Sequence, residues 1–118
     1  MTDNVIDRVV LDALLESFGG DMEFFGEMLD TFFDDSPRQL EAARAGLAAG
    51  DVEAVRRAAH SLKSNSANFG ALALSAQCRE LEMLAKSGSL EGGAELLAQI
   101  AAGYEQVHAA LEAIRAGG

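Results

Sequence analysis

Apolar residues recur at spacings of three and four along almost the whole 118-residue chain, and this periodicity is the strongest constraint on its fold. Such spacing places the apolar side chains on one face of an α-helix. Turn-forming residues interrupt the pattern at 19–20, 50–51, 68–70 and 87–89. Alanine, leucine and glutamate, which favour helix, are abundant between these breaks, and there is a single proline. We therefore expect an all-α protein.

The breaks divide the chain into one short helix and four long ones. The predicted helices cover residues 5–18 with Asp3 as N-cap, about Asp21 to Ala49, Asp51 to the turn at Asn68–Gly70, the following segment up to Ser87, and about Glu91 to Arg115. Short connections favour antiparallel neighbours, which predicts an up-down-up-down four-helix bundle with the short N-terminal helix over one end. No linker divides the chain, so we predict one domain over residues 1–118 and, as the simplest state, a monomer.

Pro37 leaves two interpretations of the second helix. An interior proline removes one backbone donor and clashes with the carbonyl four residues earlier. Either Ser36 caps a new helix with Pro37 at its first position, or one long helix kinks near Phe33. Because the apolar stripe continues to Leu47 without any loop residues, we favour the single kinked helix.

The charge of the chain excludes several classes of partner. Its 19 acidic and 9 basic side chains give a net charge of −10, which repels nucleic acid and anionic lipid. The excess is uneven, since residues 1–41 hold eleven acidic and two basic side chains, whereas residues 54–86 hold two acidic and five basic. No apolar run is long enough to span a membrane, and the N-terminus does not read as a secretory signal. We expect no membrane insertion and a cytoplasmic location, which the lone Cys78 also favours.

The residues that common cofactors require are missing from the sequence. The glycine pairs at 19–20 and 92–93 are not followed by the lysine and hydroxyl of a phosphate-binding loop. His60 and His108 lie far apart, and with one cysteine they supply no zinc ligand set. We therefore predict no cofactor and no metal, and a metal-dependent helical enzyme is the weakest of the functional hypotheses.

His60 is the strongest candidate for a chemical role. It lies on the flank of the third predicted helix, and Arg56, Arg57 and Lys63 all lie within about one turn of it. The small Ser64 leaves open space above the ring. A neutral imidazole can attack phosphorus, and neighbouring cations offset the negative charge of the phosphohistidine that forms. The pattern therefore favours a phosphoryl-accepting histidine.

A longer motif surrounds this histidine. It reads Ala59-His60-x-Leu62-Lys63-Ser64 and continues with Gly70, Leu74, Cys78, Leu81 and Glu82. With this motif, the Phe-rich helix before it and the Gly-Asp junction, the chain resembles the histidine-containing phosphotransfer (HPt) domain family. The resemblance implies that His60 accepts a phosphoryl group from a receiver-domain aspartate of a hybrid histidine kinase and passes it to the receiver aspartate of a response regulator.

The resemblance also implies roles for the neighbours of His60. Lys63 matches the lysine of the family, and Ser64 stands where the family most often has glycine. The residues expected to dock the partner are Arg56, Arg57, Ala67 and Asn68. For the two arginines, simple solvation of the helix face is an equally good interpretation. We expect a carrier without ATP-dependent kinase activity, since the partner supplies the metal and catalytic groups. The alternative hypothesis is a helical interaction module that docks receiver or kinase domains and is never phosphorylated.

Overall fold

The computed structural model describes residues 5–117, which form five α-helices. They are α1 (Arg8–Ser17), α2 (Met22–Ala49), α3 (Val52–Asn68), α4 (Leu72–Lys86) and α5 (Gly93–Arg115). The described residues contain no β-strand, and the prediction of an all-α protein is confirmed. Within the same residues, no helix combines the length and the apolar character needed to cross a bilayer.

Aspartate side chains begin the first three helices. Asp7, Asp21 and Asp51 each accept hydrogen bonds from backbone N–H groups of the first turn, which have no partner within the helix. The predicted first helix, residues 5–18, is longer than the observed one. Asp7 is the N-cap, and the helix begins at Arg8 and ends at Ser17. Asp3, the predicted cap, lies outside the described residues.

Helix α2 runs without interruption through Pro37. One long helix is therefore confirmed, while the kink near Phe33 stays a prediction. The 28 residues of α2 span about 42 Å at 1.5 Å per residue, which matches the 43 Å long dimension of the protein. Pro37 itself is exposed, so the backbone carbonyl that loses its helical donor lies on the side of α2 that water can reach.

The four long helices bury a common core. Helix α3 packs against α2 and α4, and α5 packs against the same two helices. Each long helix supplies fully buried aliphatic side chains, for example Leu29, Val55, Leu81 and Ile100. The predicted core positions Phe69 and Cys78 are also buried. Helix α3 is thereby enclosed on two sides, and its remaining side faces solvent.

The turn between α3 and α4 holds the beginning of α1. The backbone N–H of Asp7 donates a hydrogen bond to the carbonyl of Gly70, at 2.8 Å. Gly70 has a left-handed backbone, with φ of +81°, and a Cβ atom on it would stand 2.6 Å from the carbonyl oxygen of Asp7. Only glycine combines this conformation with so close an approach.

Replacing Gly70 by alanine tests this close approach. The left-handed conformation alone costs a residue with a Cβ about 1–2 kcal/mol, and the contact with Asp7 adds to that cost. We expect Gly70→Ala to lower the free energy of unfolding by about 3 kcal/mol, measured by urea denaturation with circular dichroism.

Gly88→Ala is the matched control. Its φ of +85° is almost the same, but nothing lies within 4 Å of the added Cβ. We expect a loss of about 1 kcal/mol from backbone strain alone. Equal losses for the two variants would show that the contact between Gly70 and Asp7 adds nothing.

Candidate functional site

Glu82 is the one charged side chain among residues 5–117 that is buried, with 3% of its surface exposed. It lies on α4, on the side that packs against α3. Its neighbours in the same helix, Cys78 and Leu81, are fully buried and apolar. A carboxylate removed from water strongly destabilises a fold unless partners satisfy its oxygens. The position of Glu82 therefore requires donors from a neighbouring helix.

Two side chains of α3 supply these donors. The Nδ1 atom of His60 lies 2.9 Å from one carboxylate oxygen of Glu82, and the Nζ atom of Lys63 lies 2.7 Å from the other. Burial by itself raises the pKa of the Glu82 carboxyl. The hydrogen bonds and charges of Lys63 and His60 outweigh burial and hold that pKa below its ordinary value of 4.5. Glu82 is therefore ionised at neutral pH.

The ionised Glu82 determines which nitrogen of His60 carries the proton. A carboxylate can only accept hydrogen bonds, so the short contact at Nδ1 requires that Nδ1 donate. In a neutral imidazole the other nitrogen, Nε2, then keeps its lone pair. The side chain of His60 is 55% exposed. In the neutral ring, the arrangement thus presents the lone pair of Nε2 to a molecule that approaches from solvent.

The register between α3 and α4 places these groups opposite each other. Ala59 and Leu62 are buried and anchor α3 on either side of His60 in the sequence. The hydroxyl of Ser75 donates to the backbone carbonyl of Lys63, at 3.0 Å, and so ties the two helices together about two turns before Glu82. His60 consequently stands at the rim of the helix interface, with one ring edge toward Glu82.

Comparison with known proteins identifies the family of the chain. The model of the Hpt domain matches residues 27–117 of the chain. The chain belongs to the Hpt domain family. The crystal structure of histidine-containing phosphotransfer protein B from Pseudomonas aeruginosa PAO1 is similar, with 34% sequence identity, a TM-score of 0.88, and coverage of 97% of this chain and 96% of that one. A search of curated proteins gave no match. The resemblance seen in the sequence is confirmed.

The two arginines of this Hpt domain do not surround His60 as open charges. Both pair with Glu53, one turn earlier on α3. Arg56 makes two hydrogen bonds to the Glu53 carboxylate, one of them at 3.0 Å, while the Nε atom of Arg57 lies 3.7 Å from it. Since Lys63 is bound to Glu82, each of the cations predicted to surround the histidine has an acidic partner.

The other predicted site residues of the Hpt domain lie further along α3. Ser64 is exposed, one turn beyond His60. Ala67 is half-buried and Asn68 is exposed in the last turn of the helix. At 1.5 Å per residue, Ala67 and Asn68 lie about 10–12 Å from His60 along the helix axis. The structure therefore places all three on α3 beyond His60, with Ala67 and Asn68 outside the cluster that His60, Lys63 and Glu82 form.

Sequence reasoning named Glu82 as part of the motif but assigned it no role. A signal for that role was present, because Glu82 lies four residues after Cys78 and next to Leu81 in a stripe that is otherwise apolar. An acidic residue at a position where periodicity predicts burial indicates a partnered carboxylate. The identity of its partners could not be read from the same helix.

Cys78 lies one turn from Glu82 but has no comparable chemistry. Its side chain is fully buried, and burial raises the pKa of the thiol to about 12. The thiol is therefore protonated at neutral pH and is a poor nucleophile. In the described part of the Hpt domain, no group of three or more histidine, cysteine, aspartate and glutamate side chains is arranged to hold a metal ion.

The Glu82 carboxylate predicts a specific pH dependence of stability. Its folded-state pKa lies below 4.5, so its ion pairs stabilise the fold above that pH, and the contribution is lost as the pH falls through the folded-state value. We expect Glu82→Gln to lower the free energy of unfolding by about 2 kcal/mol at pH 7. Urea denaturation at a series of pH values should show the difference from the natural chain narrowing below pH 4.5.

Glu80→Gln is the control, since Glu80 is exposed on the same helix. We expect this variant to match the natural chain within about 0.5 kcal/mol at every pH. A deficit of Glu82→Gln that stayed constant from pH 7 to pH 3 would show that the charge of Glu82 is not what stabilises the α3–α4 interface.

Proposed function

We propose that this Hpt domain carries a phosphoryl group on Nε2 of His60. The group comes from a receiver-domain aspartate of a hybrid histidine kinase and passes to the receiver aspartate of a response regulator. The contact between Nδ1 of His60 and the buried Glu82 is the observation that carries the proposal, because it leaves Nε2 unprotonated on an exposed ring. Membership of the Hpt domain family supports the same chemistry.

The scaffold that we propose is a single domain over residues 1–118. In it, α2 to α5 form an antiparallel up-down-up-down bundle with α1 at one end. Contacts between helix ends support this arrangement: Gly46 near the end of α2 meets Val55 at the start of α3, and Asp30 near the start of α2 pairs with Arg115 at the end of α5. The domain acts as a monomer in the cytoplasm.

The proposed transfer needs only a nucleophile and a counter-ion from this chain. The lone pair of Nε2 attacks phosphorus, the bond from phosphorus to the aspartyl oxygen breaks, and the aspartate leaves as a carboxylate with the bonding electrons. The proton on Nδ1 stays in place, so the phosphorylated ring is cationic. Glu82 lies 2.9 Å from that proton and stabilises the positive ring. The reverse of the same step delivers the group to the next aspartate.

The neighbours of His60 support this step without sharing its chemistry. Lys63 keeps Glu82 ionised and in position, and its positive charge stays within one turn of the phosphoryl group. Ser64 is small and leaves room above the ring. In the proposal, the partner supplies the metal ion and the remaining catalytic groups, so the domain is a carrier and not an ATP-dependent kinase. Partner contacts on α3 involve Arg56, Arg57, Ala67 and Asn68.

Phosphoryl transfer from a labelled receiver domain tests the proposal. We expect incubation with the phosphorylated receiver to place an acid-labile, base-stable phosphoryl group on the natural chain. In His60→Gln the label should fall to background, because no nucleophilic nitrogen remains at that position. His108→Gln is the matched control and should be labelled like the natural chain.

The same experiment separates the carrier from an interaction module. Two results together would favour the interaction module. The His60→Gln variant would still bind the receiver, and no phosphorylated donor would label the natural chain. Label that persists in His60→Gln would place the phosphoryl group on another residue and contradict the assignment of His60.

The Glu82→Gln variant tests whether Glu82 determines which ring nitrogen of His60 carries the proton. A glutamine can accept from Lys63 through its oxygen and donate to Nδ1 of His60 through its nitrogen, which moves the ring proton to Nε2. We expect two-bond ¹H–¹⁵N correlation spectra to show the change of tautomer, and transfer to slow by about 100-fold. Glu80→Gln should keep both the spectrum and the rate. An unchanged ring spectrum in Glu82→Gln would show that Glu82 does not direct the proton.

A further inference from the structure

Within the part of this acidic protein that the structure describes, two cations have no acidic partner. The chain has nine lysine and arginine side chains. Among residues 5–117, all but Arg79 and Lys86 lie within 4.0 Å of an aspartate or glutamate oxygen. Both unpaired cations are exposed, and both belong to α4. Their charges are therefore available to a molecule that approaches this helix.

Arg79 and Lys86 lie on either side of Glu82 along α4. Arg79 comes three residues before Glu82 and Lys86 four residues after it, which places all three on one side of the helix. Glu82 contacts His60 and Lys63 of α3, so that side borders the α3–α4 interface. The two cations are therefore exposed on the edge of α4 that adjoins the side of Glu82, the carboxylate that contacts His60.

Two exposed apolar side chains share this edge. Leu72 and Met83 have 45% and 52% of their surfaces exposed. Their positions, seven residues before Arg79 and four after it, put them on the same side of α4 as the cations. We name the set Leu72, Arg79, Met83 and Lys86 the α4 stripe. A surface that combines exposed apolar groups with uncompensated charge is typical of a protein interface.

The charge of the α4 stripe selects an acidic partner. With a net charge of −10, the protein as a whole repels other acidic proteins, so an acidic partner binds best where cations are uncompensated. On α3, Glu53 neutralises Arg56 and Arg57 in large part. A phospho-aspartate site with carboxylates that hold a metal ion is acidic, and it must reach His60. The α4 stripe is the cationic surface on the helix whose Glu82 contacts that ring.

We propose that the α4 stripe docks the acidic rim of the receiver active site that exchanges a phosphoryl group with His60, an inference that rests on the proposed function. Arg79 and Lys86 steer the receiver toward His60 and hold it there, and Leu72 and Met83 supply the apolar contact. Neither cation takes part in bond making. The stripe therefore determines how much receiver is needed for half-maximal transfer, while the maximal rate depends on His60 and Glu82.

Removal of the two cations tests this surface. Transfer from a phosphorylated receiver is measured over a range of receiver and salt concentrations for Arg79→Ala, Lys86→Ala and the double variant. We expect the half-saturating receiver concentration to rise about threefold in each single variant and about tenfold in the double variant at low salt, with the maximal rate unchanged. The loss should shrink as salt is raised, because salt screens the same attraction.

Arg44→Ala is the control for net charge. It changes the total charge by the same amount as each single variant, and Arg44 lies beside the groove between α2 and α5. Half-saturation should stay at the value of the natural chain. An equal effect of Arg44→Ala would show that total charge, and not the α4 stripe, attracts the receiver. An unchanged half-saturation in the double variant would also overturn the proposal.

Receiver binding without transfer separates this inference from the proposed function. Isothermal titration of the natural chain with each unphosphorylated receiver domain of its source organism identifies the binding receivers. The double variant should bind them about tenfold more weakly, even if His60 is never phosphorylated. Absence of label with weakened binding would reject the carrier function alone, whereas label with unchanged binding would reject the α4 stripe alone.

Discussion

The satisfaction of one buried carboxylate is the interaction on which the rest of this structure depends. Glu82 is enclosed by the α3–α4 interface and remains ionised because Lys63 and His60 donate to its two oxygens. Without both donors a charge at this depth would strongly destabilise the packing of α4. The requirement links stability to chemistry, since the bond that satisfies Glu82 also orients the imidazole of His60.

This hydrogen bond sets both the position and the tautomer of the His60 side chain. In the proposed function, it also places a negative charge beside the ring that becomes positive on phosphorylation. Lys63 contributes through Glu82 as well as through its own charge. The proposed carrier function rests on this one contact between α3 and α4.

Most of the exposed cations form ion pairs within their own helix. Most cations on this acidic chain are held by acids three or four residues away in the same helix, as Glu53 holds Arg56 and Arg57. Such exposed pairs add little stability, but they cancel charge that would attract an acidic partner. Within residues 5–117 the two exceptions are Arg79 and Lys86, both exposed on α4. In the proposed docking, the attraction of an acidic receiver is thus concentrated on this helix.

The sequence by itself determined the helices, most of their ends, the core stripes and the choice of His60 as the candidate functional residue. Helical periodicity, capping by Asp51 and the stop at Gly50 act within a few residues, so they can be read locally. The pairing of Arg56 and Arg57 with Glu53 was equally local and could have been predicted from their spacing. Only the tertiary structure decided that Glu82 meets His60 across 22 residues of sequence. That contact depends on the register and orientation of two packed helices, which no periodicity within either helix specifies.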